Sequence, residues 1–144
     1  MTINALVVDD SGIMRELVMR SLTESGLAEF MFSEASDGRD ALAKFDPAVT
    51  DMVFVEWNLP NMSGIDFVRE VRATHRRPVP VVMITTESTM GKVEEAFGTG
   101  VVDAYIIKPF TTDVLRRKLT RLFQKLAPPA PAKSGGFFSK LFRG

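Results

Sequence analysis

The chain has 144 residues, of which 45% are hydrophobic and 25% charged, a composition that indicates one ordinary globular domain. It contains no cysteine, which excludes disulfides and thiolate metal sites, and it opens with no charged-then-apolar leader and has no long apolar run, which predicts cytoplasmic residence. The net charge is zero, but residues 1–127 carry −3 and residues 128–144 carry +3, so a broad nucleic-acid surface on the main domain is not expected.

Short apolar runs alternate with stretches of helical spacing along residues 1–127. The runs that predict strands are 3–8, 30–32, 52–55, 81–84 and 104–107. Apolar residues three or four positions apart predict a helix after each run. Ser11 and Asp37-Gly38 precede two of these helices, and Gly26, Gly98 and Gly100 stand where helices are expected to end. Strands that are apolar on both faces need helices on both sides, so the pattern predicts a doubly wound α/β domain with a parallel sheet.

The composition changes after Leu126. Residues 128–136 are rich in proline, glycine and serine, which predicts an extended linker after a domain of residues 1–127. Residues 137–144 are apolar and basic. We hypothesise that this tail docks on a partner protein or a membrane surface, the alternative being a disordered end.

Polar residues follow four of the predicted strands. They are Asp9-Asp10, Glu56-Trp57-Asn58, Thr85-Thr86-Glu87 and Lys108-Pro109. In an open parallel sheet, ligands bind outside the carboxyl ends of the strands, so we expect these residues to share one pocket. Carboxylates gathered there would repel one another unless a cation compensates them, and oxygen ligands without histidine or cysteine suit Mg²⁺. Lys108 and Thr85 would hold a phosphoryl-like anion beside the metal. Taken singly, each acid is equally explained as a helix cap or a solvated loop residue.

Five segments match a known family in order and spacing. They are VVDDSGIMR, EASDGRDAL, WNLPNMSG, PVVMITTES and AYIIKPF. Over residues 2–126 the chain resembles the response-regulator receiver family, most closely its single-domain chemotaxis type. The resemblance implies a five-stranded parallel sheet of order 2-1-3-4-5. It also implies a two-component signalling switch, phosphorylated by a histidine kinase or a phosphotransfer protein, rather than a metabolic enzyme.

The resemblance also implies roles for the pocket residues. The implied ligands of Mg²⁺ are Asp9, Asp10, Glu56 and the main-chain carbonyl of Asn58. Thr85 and Lys108 would contact the phosphoryl group, so the resemblance places the reactive centre at Glu56, Thr85 and Lys108.

Other positions match residues that, in the family, change conformation on activation or adjust the rates of phosphorylation and dephosphorylation. Tyr105 occupies the aromatic switch position, expected to turn inward when Thr85 moves toward the phosphoryl group; an ordinary half-buried tyrosine is the alternative. Asn58 and Glu87 match the positions that tune phosphorylation and dephosphorylation rates. Pro109 follows a bond that is commonly cis in the family.

The chain departs from the family at the phosphoacceptor position, where Glu56 stands in place of an aspartate. The additional methylene, about 1.5 Å of bond length, moves the carboxylate toward Thr85 and Lys108 and away from the position that in-line attack requires. We therefore expect Glu56 not to be phosphorylated. Two outcomes remain: Glu56 acts as a partial mimic of the phosphorylated aspartate, which we favour, or it pairs with Lys108 and locks an inactive state.

The surface that partners would read is, by resemblance, helix four, strand five and helix five. Helix five carries a basic set opposite its leucine stripe, comprising Arg116, Arg117, Lys118, Arg121 and Lys125. This set would meet an acidic partner, or it is an ordinary solvated face near a helix C-terminus.

Two other functional classes compete with the switch. A magnesium-dependent phosphohydrolase also uses clustered aspartates beside lysine and threonine, but no aspartate nucleophile stands at position 56. A flavodoxin-like cofactor carrier would need a loop that cradles phosphate after strand one, where Asp9-Asp10 would repel it.

Overall fold

Five strands and five helices alternate in the computed structural model, which describes residues 2–98 and 100–126. The strands are β1 (Thr2–Val8), β2 (Glu29–Ala35), β3 (Met52–Val55), β4 (Val81–Thr85) and β5 (Ala104–Ile107). The helices are α1 (Gly12–Ser25), α2 (Gly38–Lys44), α3 (Gly64–Thr74), α4 (Met90–Gly98) and α5 (Thr112–Leu126). The predicted linker 128–136 and tail 137–144 lie outside the described residues, and in the described part no helix has the length and apolar character that a bilayer span requires.

The strands form one parallel sheet in the order β2-β1-β3-β4-β5, which confirms the predicted fold class and strand order. Val8 pairs with Ala35 on one side and with Val55 on the other, and Thr85 pairs with Ile107. Because the strands are parallel, their carboxyl ends lie at one edge of the sheet. This edge receives the residues that follow β1, β3, β4 and β5.

Hydrophobic cores lie on both faces of the sheet. Alternate residues of each strand point to opposite faces, so Ala5 and Val7 join a cluster with α1 and α5, while Leu6 and Val8 join one with α2, α3 and α4. The inner strands β1, β3 and β4 are therefore buried on both sides, which explains why their sequences read as mostly continuous apolar runs.

Helix caps follow the signals in the sequence. Ser11 accepts a hydrogen bond from the N–H of Met14 at 3.2 Å, and Asp37 accepts one from the N–H of Asp40 at 2.7 Å. Gly26 ends α1 in the left-handed conformation, with a φ of 70°. These caps are the predicted ones, and they define the turns that lead into and out of α1 and into α2.

The largest difference from the predicted elements is the length of β2. The apolar run predicted a strand over 30–32, whereas the strand covers Glu29–Ala35 and pairs with β1 over its whole length. β2 is an edge strand, so polar residues such as Ser33 and Glu34 are exposed within it and give no apolar signal. Pairing with β1 defines this strand more than its own composition does.

Gly64 packs directly against the backbone that carries Glu56. Its N–H donates to the carbonyl of Trp57 at 2.8 Å, and a Cβ at this position would collide with the main-chain carbonyl of Glu56. α3 can approach the end of β3 this closely only because residue 64 has no side chain.

We therefore expect Gly64→Ala to lower the free energy of unfolding by about 1–3 kcal/mol, because backbone must shift to admit the methyl group. The matched control is Gly91→Ala in α4, where a Cβ would meet no described atom within 4 Å. The control should leave stability unchanged or raise it by up to about 1 kcal/mol, since alanine favours helix. Urea unfolding of both variants measures the difference, and equal effects would contradict this account of Gly64.

Candidate functional site

Two buried acids and one lysine meet at the carboxyl edge of the sheet. Asp9 follows β1 and is 4% exposed, and Glu56 follows β3 and is 7% exposed. Lys108 follows β5, and its side chain is 9% exposed. The pairing of β1 with β3 makes the first two residues neighbours, and the long lysine side chain reaches them from the far side of the sheet.

The ammonium group of Lys108 bridges the two carboxylates. Its Nζ donates to Asp9 Oδ2 and to Glu56 Oε1, each at 2.7 Å. The remaining oxygens are also occupied, because Ser11 N–H donates to Asp9 Oδ1 at 2.9 Å and Asn58 N–H donates to Glu56 Oε2 at 3.1 Å. Two negative charges in a nearly dry pocket are thus compensated by one ammonium and two main-chain donors.

The pKa of Lys108 reflects opposing effects. Burial disfavours the charged ammonium, but the hydrogen bonds and negative charges of Asp9 and Glu56 outweigh it, so the pKa lies above its ordinary value. A raised pKa stabilises the folded state fully below the ordinary lysine pKa, and this contribution is lost as pH rises through the folded-state value. The bridge is therefore charged across the whole neutral range.

Glu87 connects the pocket to Tyr105. Thr85 is fully buried, and its hydroxyl accepts a hydrogen bond from the N–H of Glu87 at 3.3 Å. Tyr105 is 3% exposed, and its hydroxyl donates to the main-chain carbonyl of Glu87 at 2.7 Å. Burial, followed by the charges of Glu87 and Glu56, raises the pKa of Tyr105 to about 12. The ring of Tyr105 is thus turned inward, and one residue of the β4–α4 loop contacts both Thr85 and Tyr105.

The mouth of the pocket is polar and exposed. The side chain of Asn58 donates to Glu87 Oε1 at 2.9 Å, so the two predicted rate-tuning positions contact each other. Asp10 is exposed, and its side chain has no hydrogen-bond partner among residues 2–98 and 100–126.

The predicted Mg²⁺ ligands all offer oxygen atoms, but the carboxylates of Asp9 and Glu56 are engaged by Lys108. No three acidic or histidine side chains of the described residues gather as a metal cluster, because Asp9 and Glu56 turn toward Lys108. The side-chain and main-chain atoms that the sequence predicted as metal ligands are nevertheless all oxygen. The ammonium group of Lys108 already lies between the carboxylates of Asp9 and Glu56. A hard divalent ion suits this set, with Asp10 as an uncommitted carboxylate. The metal site remains a prediction.

Two contacts of the pocket were not predicted. Arg15 in α1 donates to the main-chain carbonyl of Asp9 at 2.7 Å. Lys92 in α4 places its Nζ 4.6 Å from the ring centre of Trp57, which is buried beside Glu56. Because Arg15 lies in the first turn of α1, just after the Ser11 cap, its contact with the end of β1 could have been predicted. Nothing in the sequence linked Lys92 with Trp57.

A groove of about 210 Å³ lies between α4, β5 and α5. Phe97, Tyr105, Lys118 and Arg121 are among its lining residues, and Lys118 Nζ donates to the main-chain carbonyl of Tyr105 at 2.6 Å. Arg116 belongs to the predicted basic set but turns away, binding the carbonyl of Ser25 in α1. The groove is therefore lined by fewer basic residues than the sequence suggested.

The fold and the pocket together define a flavodoxin-like α/β protein in which two buried acids and a lysine meet at the carboxyl edge of the sheet. Residues 5–120 match the family described as response regulator receiver domain. The chain belongs to this family.

Two curated relatives with similar sequences are chemotaxis proteins. The chemotaxis protein CheY of Pseudomonas aeruginosa is 37% identical over 122 residues, which cover 84% of this chain and 96% of the relative. The chemotaxis protein CheY1 of Helicobacter pylori strain J99 is 42% identical over 116 residues, which cover 79% of this chain and 91% of the relative. The similarity therefore extends over nearly the whole of each relative.

Solved structures of related proteins have the same fold. CheY4 of Vibrio cholerae superimposes with a TM-score of 0.71 at 33% identity, over 85% of this chain and 99% of that one. The response regulator TrrA of Thermotoga maritima, solved in complex with Mg²⁺ and BeF, gives a TM-score of 0.69 at 28% identity, over 83% of this chain and 98% of that one.

Replacement of Lys108 tests the bridge. Lys108→Met leaves two buried carboxylates without their cation, so the free energy of unfolding at pH 7 should fall by about 3–5 kcal/mol. The control is Lys44→Met, whose side chain is 48% exposed and pairs with Asp40 at 3.1 Å. Its loss should stay under about 1 kcal/mol. Equal losses of stability in the two variants would refute the bridge.

The inward position of Tyr105 can be read by titration, because Tyr105 is the only tyrosine of the chain. With a pKa of about 12, roughly a tenth of it should be ionised at pH 11. The same chain unfolded in urea should be roughly nine-tenths ionised, since an ordinary tyrosine has a pKa near 10. Tyrosinate absorbance measures both fractions. Because the folded state holds its proton more tightly, stability should fall as pH rises from 10 to 12. A folded-state midpoint near 10 would show that the ring is exposed.

Proposed function

We propose that this receiver domain has Glu56 at its phosphoacceptor position, that it is not phosphorylated there, and that Glu56 partly imitates the phosphorylated aspartate. The observation that carries the proposal is the pairing of Glu56 with Lys108 while Tyr105 is turned inward. In this reading the protein is a signalling switch rather than an enzyme.

The position of the carboxylate supports the loss of phosphorylation. Both oxygens of Glu56 are engaged, one by Lys108 and the other by the N–H of Asn58. Phosphoryl transfer depends on an attacking oxygen placed in line with the donor. A carboxylate that is a methylene too long and held by two donors does not supply that oxygen.

The contacts of Lys108 and Thr85 support partial mimicry. Glu56 puts a negative charge on Lys108, as a phosphoryl group there would, but one charge instead of nearly two. Thr85 makes its hydroxyl contact with the N–H of Glu87, so Glu56 engages only part of the predicted phosphoryl contacts. The mimicry is therefore incomplete.

The pairing with Lys108 is also what a locked, inactive domain would show. The exposure of Tyr105 supports the mimic over the locked state, because the family's aromatic switch turns inward on activation and Tyr105 is 3% exposed. The matches to chemotaxis proteins support a switch over the rival phosphohydrolase.

We propose that Mg²⁺ binds at the same edge of the sheet. We propose Asp9, Asp10, Glu56 and the carbonyl of Asn58 as its ligands. The ion would neutralise negative charge at the pocket. In this chain Lys108 already carries out part of that neutralisation from its place between Asp9 and Glu56.

The proposed partners follow from the family and the surface. A histidine kinase or phosphotransfer protein would meet the carboxyl edge of the sheet, and a downstream protein would bind the α4–β5–α5 groove, where Lys118, Arg121 and Lys125 favour an acidic segment. We place the protein in the cytoplasm, and we propose that residues 137–144 dock on a partner or a membrane surface.

The phosphorylation prediction is tested with a small acyl-phosphate donor and Mg²⁺, applied to this chain and to Glu56→Asp. The aspartate form should incorporate about one phosphoryl group per chain, and the unmodified chain none, because only the shorter carboxylate permits in-line attack. Asp10→Asn in the aspartate background should reduce labelling, whereas Asp66→Asn, on the exposed start of α3, should not. Labelling or turnover by the unmodified chain would refute the proposal and favour an enzyme.

The mimicry is tested on the same samples by amide NMR spectra. The spectrum of the unmodified chain around Tyr105 should lie between those of unlabelled and labelled Glu56→Asp. Glu56→Gln, which keeps the length and removes the charge, should resemble the unlabelled form. If the unmodified chain also coincides with the unlabelled form, the locked state is correct.

A further inference from the structure

Arg15 joins three elements beside the pocket and has no role in the proposed function so far. From α1 its Nη1 donates to the main-chain carbonyl of Asp9, which follows β1, at 2.7 Å. Its Nε donates to Glu34 Oε1 on β2 at 2.9 Å. The arginine side chain is 20% exposed against 46% for Glu34, so the guanidinium is largely sheltered.

The hydrogen bonds of the Asp9 main chain fix the orientation of the peptide unit between Asp9 and Asp10. The N–H of Asp9 donates to the carbonyl of Ala35 at 3.1 Å, and its carbonyl accepts from Arg15 at 2.7 Å. A peptide unit is planar, so a fixed carbonyl of Asp9 fixes the plane from which the backbone of Asp10 departs. Asp10 is exposed and has no side-chain hydrogen bond to any described residue. Its direction therefore depends on this backbone.

Glu34 keeps Arg15 in this role. A guanidinium pairs readily with carboxylates, and its planar fork is oriented by the one that it binds. The bond from Nε to Glu34 commits the planar group to one orientation, with Nη1 on the carbonyl of Asp9. The carbonyl of Asp9 consequently keeps its donor.

We propose that Arg15, oriented by Glu34, is a positioning residue that aims the carboxylate of Asp10 at a divalent cation. The proposal rests on the proposed function, because it requires that Asp9 and Asp10 hold Mg²⁺. It adds a pair of residues outside the ligand set that determines how strongly the ion binds.

The test is calorimetric titration of Mg²⁺ into the unmodified chain and three variants, each first shown by urea unfolding to be folded. Arg15→Met should weaken binding by about tenfold or more, the effect typical of groups that orient metal ligands. Arg15→Lys should recover part of the affinity, because an ammonium can reach the carbonyl of Asp9 without the fork that also engages Glu34. Arg20→Met is the matched control on α1, since Arg20 is 63% exposed and pairs only with Glu16, at 3.3 Å, among the described residues. It should not change the affinity.

A second measurement needs no metal. The N–H of Ser11 donates to Asp9 Oδ1 at 2.9 Å, so its hydrogen exchange reports how firmly the turn is held. Arg15→Met should speed this exchange, and Arg20→Met should not. Equal Mg²⁺ affinity in the unmodified chain and Arg15→Met would overturn the proposal whatever the exchange shows. If the unmodified chain binds no Mg²⁺, the metal part of the proposed function fails, and exchange alone decides whether Arg15 positions the turn: faster exchange supports it and unchanged exchange overturns it.

Discussion

One ammonium group between two buried carboxylates is the interaction on which the site depends. Asp9 and Glu56 come from adjacent strands, and their charges would repel each other in a pocket that water hardly reaches. Lys108 compensates both from β5, which does not pair with either strand. A lysine serves here because its long stem crosses the sheet edge and its ammonium donates in several directions. The bridge thus links the ends of three strands.

The β4–α4 loop connects the pocket with Tyr105 in β5. Glu87 contacts Asn58 through its side chain, Thr85 through its N–H and Tyr105 through its carbonyl. A change at the mouth of the pocket and a change in the ring of Tyr105 therefore act on the same residue. On the opposite side, Arg15 joins α1 and β2 to the carbonyl of Asp9. Residues that are distant in sequence therefore contact the pocket from opposite sides.

Much of the site was predictable because parallel strands bring their carboxyl ends to one edge. Asp9, Glu56 and Lys108 could be placed there from strand ends alone, and the resemblance added expected roles for Thr85 and Tyr105. The side-chain contacts within the site were harder to predict from the sequence. The choice of Lys108 as the shared partner of both acids, and the turn of Arg116 toward Ser25, depend on side-chain directions that spacing does not encode. The length of β2 was underestimated because an edge strand tolerates polar residues.

The sequence by itself determined the alternation of strands and helices, the caps at Ser11 and Asp37, and the identity of the polar residues at the strand ends. It could do so because these features arise from local periodicity and from hydrogen bonds between near neighbours. Only the tertiary structure decided that Lys108 lies between Asp9 and Glu56, that Tyr105 is turned inward, and that Arg15 holds the carbonyl of Asp9. These contacts join residues from separate elements, and burial, charge compensation and packing select among the partners that the fold brings within reach.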